Sequence, residues 1–267
     1  MTTMNCNDEH SAHEHLKTVG KFVADYASTL FSYGATTIRI EKSIERIARK
    51  YGADVQLTVL PMHIMVTVWD HDHEHSYTIN EKVKGNGIDF DKNTQLSKLS
   101  WTIFDNDLPL EEAQRTMNDI ARLPRLDPFL VTMLTGAANA SFCKLFGGDW
   151  ISMLIVFVAT ICGFYLKNKL HGQWQWDLRL VTILSGCLAT VIASSGYVFH
   201  IGSTPDIALG TGVLFLVPGI PFINSVNDLI NGHYICAFSR FTQATITTVC
   251  LSLGLCLGYL IINIHIV

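Results

Sequence analysis

Charge is nearly missing from the second half of this sequence. Of 42 charged residues (19 basic and 23 acidic), 33 lie in residues 1–127 and only nine in the last 140. A chain surface in water needs charge, so the second half reads as membrane-embedded from about residue 128. Other absences narrow the function. The seven cysteines include no CxxC pair, and six fall in or beside the apolar half. They read as small packing residues, with neither a disulfide framework nor a zinc site. No GxxxxGK[ST] loop and no G-x-S-x-G elbow occurs, so neither an ATP-binding loop nor a hydrolase nucleophile is expected. The sequence reads as a non-enzyme without a cofactor. No basic patch interleaved with aromatics appears, which argues against nucleic acid as a partner. No apolar secretory signal opens the chain. Residues 1–15 are polar and His-rich and read as a flexible tail, and the domain behind them is expected to stay on the cytoplasmic side.

What is present in the first half is amphipathic patterning. Val19, Phe22, Val23, Tyr26, Leu30 and Phe31 recur at helical spacing, predicting a helix over about 12–33 that Gly34 ends. Ile40, Ile44, Ile47, Ala48 and Tyr51 mark a second helix, closed by Gly52. Residues 55–60, 64–69 and 77–83 alternate and are rich in β-branched and aromatic residues, predicting three strands, and Gly85-Asn86-Gly87 predicts a turn. Helices are predicted over 93–104 and 110–123, the second opened by Pro109. Residues 16–125 are thus expected to form a soluble α+β domain. His71, His73 and His75 alternate, and in an extended strand they would share one face and converge on a metal ion. The plainer reading is a solvated hairpin tip, so no metal is predicted. His10, His13 and His15 make a weaker case, as part of the tail.

Residues 128–267 are expected to form a transmembrane domain of about five helices. The apolar stretches run over about 129–146, 150–166, 180–201, 207–223 and 241–267, in contact with membrane lipid. Arg115, Arg122 and Arg125 precede the first stretch. Lys167, Lys169 and Arg179 separate the second from the third, and Arg240 precedes the fifth. This bias predicts a cytoplasmic N-terminus and, with an odd number of spans, an outside C-terminus. Lys144 and Asp149 are the charges nearest the membrane ends of the first two stretches, and are candidates for an ion or charge role. Gly254 and Gly258 form a small-xxx-small pair suited to close helix packing.

The fourth stretch is the most informative. Pro218 and Pro221 each remove a backbone donor, with Gly219 between them, so a continuous helix is not expected. Freed backbone groups at membrane depth are tolerated inside protein or beside a water-filled cavity, and discontinuous helices of this kind build the substrate sites of many secondary transporters. A kink with only a packing role is the alternative. Asn224, Asn227, Asp228 and Asn231 follow at i, i+3, i+4 and i+7, one helical face. That face reads either as the lining of a path for a small polar substrate or as a helix end exposed to water. With His233 beyond them, Pro218, Gly219, Pro221, Asn224, Asn227 and Asp228 are the candidate transport-path residues.

Phe142-Cys143-Lys144-Leu145-Phe146-Gly147-Gly148-Asp149-Trp150, Thr204-Pro205, the run from Leu216 through Val217-Pro218-Gly219-Ile220-Pro221-Phe222-Ile223 to Asn224, and Asp228 together resemble the threonine/serine exporter family. So does Gly34-Ala35-Thr36-Thr37-Ile38-Arg39-Ile40-Glu41. The resemblance runs from about Leu16 to near the end. It implies a proton-driven exporter in the inner membrane. Full-length members join two membrane halves; this chain has the first, like the split, YjjP-like branch. A second membrane subunit supplying the other half is therefore implied. The chain departs from the family at Gly232-His233, where many members have Gly-Asp, and at Gln243, where many have Glu. The missing acids open the alternative of a small dicarboxylate such as succinate, with His233 as a titrating group.

The leading expectation is thus a subunit of a secondary transporter that exports threonine/serine-type amino acids, with dicarboxylate export as the alternative. A membrane-anchored sensor or enzyme acting through its soluble domain is the alternative from another class.

Overall fold

The computed structural model describes residues 6–60, 62–83, 87–124 and 126–262. Gly85, Asn86 and Arg125, on which expectations above rest in part, lie outside them. The chain divides into two compact units, Met1–Pro124 with Ile223–Arg240, and Arg125–Phe222 with Phe241–Val267. The first unit therefore takes in a segment that composition alone groups with the apolar half.

In the first unit, α1 (Cys6–Ser32) and α2 (Thr37–Lys50) lead into strands β1 (Ala53–Leu60), β2 (His63–Asp70) and β3 (Ser76–Lys82). Helices α3 (Phe90–Asp105) and α4 (Leu110–Arg122) follow. The predicted elements are all present, most of them a few residues longer. Helix α1 starts at Cys6, so positions 6–15, read as a tail, continue the helix, and His15 Nε2 lies 3.0 Å from the Tyr51 carbonyl. Helix α3 begins ahead of its first core residue because the Asp89 carboxylate caps it, accepting from the Lys92 amide at 3.1 Å.

The sheet is antiparallel in the order β1-β2-β3, with Leu60 paired to His63 and Trp69 to Ser76. Alternation places Ile64, Val66 and Val68 of β2 on one face, fully buried, in the same core as Val19, Phe22, Val23, Tyr26 and Leu30 of α1. Each such side chain contributes about 1.5–3 kcal/mol by leaving water. The Tyr26 hydroxyl donates to the Leu96 carbonyl at 2.7 Å, and burial pushes its phenol up to about 12.

The second unit holds α5 (Pro128–Leu145), α6 (Trp150–Lys167, continued by a wider turn over Asn168–Gln173), α7 (Leu178–Ala193), the single turn α8 (Ser195–Val198) and α9 (Pro205–Thr211). A 3-10 turn (Leu214–Leu216) precedes α10 (Gly219–Ile230), and α11 (Tyr234–Ile262) ends the described chain. Helices α10 and α11 each begin in one unit and end in the other. This unit is inverted relative to a soluble core. Thr132, Asn139, Ser152, Thr160, Thr182, Ser185, Thr190 and Ser194 are buried, while Leu134, Leu154, Leu180 and Leu260 are more than half exposed. Large apolar side chains outside and small or hydroxylated ones inside suit a lipid solvent, where helices gain from close packing and buried hydrogen bonds. Asn139 shows the polar part: its amide donates to Thr160 Oγ1 at 2.7 Å and to the Thr211 carbonyl at 3.1 Å.

Among the described residues, three helices are long and apolar enough to cross a membrane, Trp150–Gln173, Leu178–Val198 and Tyr234–Ile262. A fourth span results if Pro205–Leu216 and Gly219–Ile230, bent by 62° at their break, count as one. Helix α5, expected as the first of five spans, does not reach the same apolarity because Asn139 and Lys144 interrupt it. The polar segment after residue 166 is helical to Gln173.

Candidate functional site

The predicted break in the fourth stretch is present. Val217 is extended (ψ 125°) between the 3-10 turn and α10, and Pro218 follows it. Gly219 and Pro221 lie in the first turn of α10, where a missing proline donor costs no intrahelical bond.

The polar face beyond the break is graded in burial, with Asp228 fully buried, Asn224 and Asn227 half-buried and Asn231 exposed. It docks within the first unit, on the loop between α1 and α2. Gly34 terminates α1 at φ +86°, a conformation that costs glycine little. The chain then exposes the Gly34 and Ala35 carbonyls and the first amide of α2. The Asn224 side-chain amide donates to the Gly34 carbonyl at 3.1 Å. Asp228, fully buried, takes the Thr37 amide on Oδ1 at 3.1 Å, a carboxylate seated at a helix N-terminus. Its other oxygen lies 3.1 Å from Arg240 Nη1, whose side chain is 12% exposed. Arg240 Nη2 donates to the Ala35 carbonyl at 2.9 Å, and the guanidinium carbon stands 4.8 Å from the Phe31 ring centroid. The Thr37 hydroxyl reaches Cys236 Sγ at 3.4 Å.

The turn between α10 and α11 completes the cluster. Gly232 has φ +83°, its amide donates to the Leu229 carbonyl at 3.2 Å, and the His233 amide donates to the Asp228 carbonyl at 2.9 Å. These two bonds close α10 with a Schellman motif, which turns His233 back beside the helix it follows. His233 Nε2 sits 3.4 Å from Glu41 Oε2 of α2. Asn227 stays within α10, its carbonyl accepting from the Asn231 side-chain amide at 2.7 Å.

Two features single this cluster out. Asp228 and Arg240 form an ion pair out of water, an arrangement whose desolvation cost is high. Among the described residues, Asp228 Oδ2, Arg240 Nη1 and His233 Nε2 are also buried without an aligned hydrogen-bond partner. Each of the three still faces an ionisable neighbour, Arg240 and Asp228 at 3.1 Å and His233 and Glu41 at 3.4 Å, without the alignment of a hydrogen bond. Arg240, Glu41 and Thr37 were not legible as site residues. Arg240 reads in sequence only as a topology marker and Glu41 only as part of the Gly34–Glu41 run. The one available signal was that Asp228 needs a cation if it is buried.

The remaining candidates lie elsewhere. Lys144 ends α5, with Nζ 3.4 Å from the Gly148 carbonyl and 5.2 Å from the Trp150 ring centroid. Asp149 caps α6, accepting from the amides of Ser152 at 3.0 Å and Ser203 at 3.1 Å and from the Thr204 hydroxyl at 2.9 Å. It joins two turns of the second unit. Hydrogen bonds from Ser152 and Ser203 hold its carboxyl well below the usual carboxylate range. A group with a depressed folded pKa contributes stability above its unfolded pKa, near 4, and loses it as pH falls through the folded value. Asp149→Asn is therefore expected to lower the thermal midpoint by a constant amount from pH 7 to about pH 5. The gap from wild type should close below that. A gap that persists unchanged in acid would assign the effect to packing instead.

His71, His73 and His75 lie in the β2–β3 turn, not on a strand, so alternation does not put them on one face. His71 Nδ1 lies 3.7 Å from Asp54, His75 Nδ1 lies 3.0 Å from Asp70, and His73, at φ +55°, packs beside Trp69. No group of three His, Cys, Asp or Glu among the described residues is placed to hold a metal ion.

A family model described as "Putative threonine/serine exporter" matches residues 21–262. The chain belongs to this exporter family. The family is one of transporters, and this exporter-family chain is a membrane protein with several apolar helices. It is similar to a chain named "Probable succinate transporter subunit YjjP" from Klebsiella aerogenes, 26% identical over 89% of this chain and 92% of that one. The Escherichia coli chain of the same name is 27% identical over 84% and 87%. The "Probable threonine/serine exporter" of Mycobacterium tuberculosis is 21% identical over 90% of this chain but only 46% of its own length. No solved structure matches the chain.

Proposed function

We propose that this chain is one subunit of a secondary transporter that exports a small carboxylate of the succinate type across the cell's inner membrane. The observation that supports it most is length. The two relatives named as succinate transporter subunits are matched over 92% and 87% of their lengths, and the Mycobacterium tuberculosis exporter over 46%. On this reading a second membrane protein supplies what the longer exporters carry in one chain. Residues Arg115 and Arg122, with Lys167, Lys169 and Arg179 around the α6–α7 connection, favour a cytoplasmic N-terminus. An outside C-terminus follows if α5 and the bent pair both cross.

Arg240 is the carboxylate-binding cation in this proposal. Asp228 occupies it at rest, and a substrate carboxylate competes for the same guanidinium. Asn224, Asn227 and His233 flank that exchange, and the break at Pro218, Gly219 and Pro221 supplies a hinge in the path. Efflux of labelled succinate, threonine and serine from cells lacking this chain tests the proposal. Succinate efflux is expected to fall and to be restored by the wild-type chain but not by Arg240→Gln. A fall for threonine and serine alone reassigns the substrate to amino acids, and unchanged efflux of all three sinks the transporter reading.

A further inference from the structure

A second site lies wholly within the first unit, in a cleft between α2 and α3 of about 560 Å³, within the range of small-molecule sites. Its walls are two helical faces. Arg39, Lys42, Ser43 and Arg46 come from α2 at i, i+3, i+4 and i+7; Thr94, Ser97, Lys98 and Trp101 come from α3 at the same intervals. Glu41 and Glu45 of α2 are not among the lining residues, so the cleft walls carry four cations and no acid. None of the four cations has a carboxylate within 4 Å among the described residues, although Asp105, one turn beyond Trp101, lies in the field of Arg46. Four like charges around one cleft repel one another and gain by sharing a counter-anion.

The two guanidiniums are held in place. Arg39 Nη1 donates to Asn93 Oδ1 at 2.9 Å, and Arg46 Nη1 donates to Ser100 Oγ at 2.6 Å. The Arg46 guanidinium carbon also stands 3.5 Å from the Trp101 ring centroid. Lys42 and Lys98 are exposed at the mouth. Fixed guanidiniums and mobile ammoniums are the donor set that multivalent phosphate recruits, while the Thr94 and Ser97 hydroxyls already donate to the Phe90 and Asn93 carbonyls. A dicarboxylate, with two negative charges, would leave half of the cations uncompensated.

We propose that this cleft binds a soluble small molecule carrying two or more phosphates, a site separate from the Asp228–Arg240 cluster and independent of the transported substrate.

Binding should be read in the full chain, reconstituted in nanodiscs of zwitterionic lipid, from tryptophan fluorescence and calorimetry. Tripolyphosphate and ATP are the probes, with succinate at equal ionic strength as the control. Both phosphates are expected to change the fluorescence, and Trp101→Phe should remove that change, isolating it from the other four tryptophans. Lys42→Gln with Lys98→Gln, both at exposed positions, should weaken binding about tenfold, the scale of losing charge-assisted contacts. The inference is overturned if neither phosphate binds, if the double variant binds both as well as wild type, or if succinate binds as tightly as tripolyphosphate. A chain that binds phosphate here yet exports nothing would leave this site standing and remove the proposed transport function.

Discussion

Asp228→Asn is expected to destabilise the first unit by about 3–5 kcal/mol, the scale of removing one partner from a buried ion pair. The asparagine oxygen can still accept from the Thr37 amide, which wild-type Asp228 binds at 3.1 Å, so the lost element is charge rather than shape. What remains is the Arg240 guanidinium, 12% exposed, without the carboxylate 3.1 Å away. Arg240→Gln leaves the reverse defect, a carboxylate with no exposure and no cation. The double variant Asp228→Asn with Arg240→Gln buries no charge at all. It is therefore expected to be more stable than the sum of the single losses allows, by about 2 kcal/mol or more. Chemical or thermal unfolding of the purified chain in detergent, run as a double-mutant cycle, measures this. Strictly additive losses would mean that the two side chains do not act as a pair. The cycle also separates stability from transport. If the double variant regains stability but not efflux, the pair has a job beyond holding α10 and α11 to the α1–α2 loop.

Gly254→Val is expected to disrupt the second unit more severely than any single loss of a lipid-facing side chain. A Cβ at Gly254 would meet the Ile183 carbonyl oxygen at 2.5 Å and the Cys187 amide nitrogen at 3.2 Å. Both are backbone atoms of α7, so no rotamer change relieves the clash and the helices must separate. One turn on, a Cβ at Gly258 would meet Thr190 Cβ at 2.7 Å, so the close approach continues along the same face. Overpacking typically costs about 1–3 kcal/mol, and a backbone collision falls at or above the top of that range. Even Gly254→Ala should lower the thermal midpoint clearly. The control is Gly210→Ala in α9, where a Cβ meets nothing within 4 Å and the effect should be within about 0.5 kcal/mol of zero. Equal midpoints for Gly254→Ala and Gly210→Ala would show that close helix approach is not what holds this bundle.

Local patterns were legible wherever a period or a stop residue governed the outcome. Alternation gave the three strands, helical spacing gave α1 to α4, and Pro218 with Pro221 gave the break before α10. All of these depend on neighbours within about one or two turns. Misreadings arose where a distant partner decided. The alternating histidines, by contrast, read in sequence as a hairpin tip, and they lie in the β2–β3 turn. The Asn224–Asn231 face was recognisable as a face, but which surface it meets depends on a loop about 190 positions away.

By itself, the sequence determined that the second half is poor in charge and rich in apolar stretches, that the fourth of these is broken, and which family the chain belongs to. Those conclusions follow from composition, from proline's missing donor and from short runs of residues. Only the tertiary structure decided that residues 223–240 pack with the N-terminal unit, and that Asp228 is paired with Arg240 rather than solvated. It also decided that α2 and α3 turn four cations toward one cleft. The physical reason is the same in each case: whether a polar group is buried, and against what, is a property of contacts between segments remote in sequence, which no local pattern records.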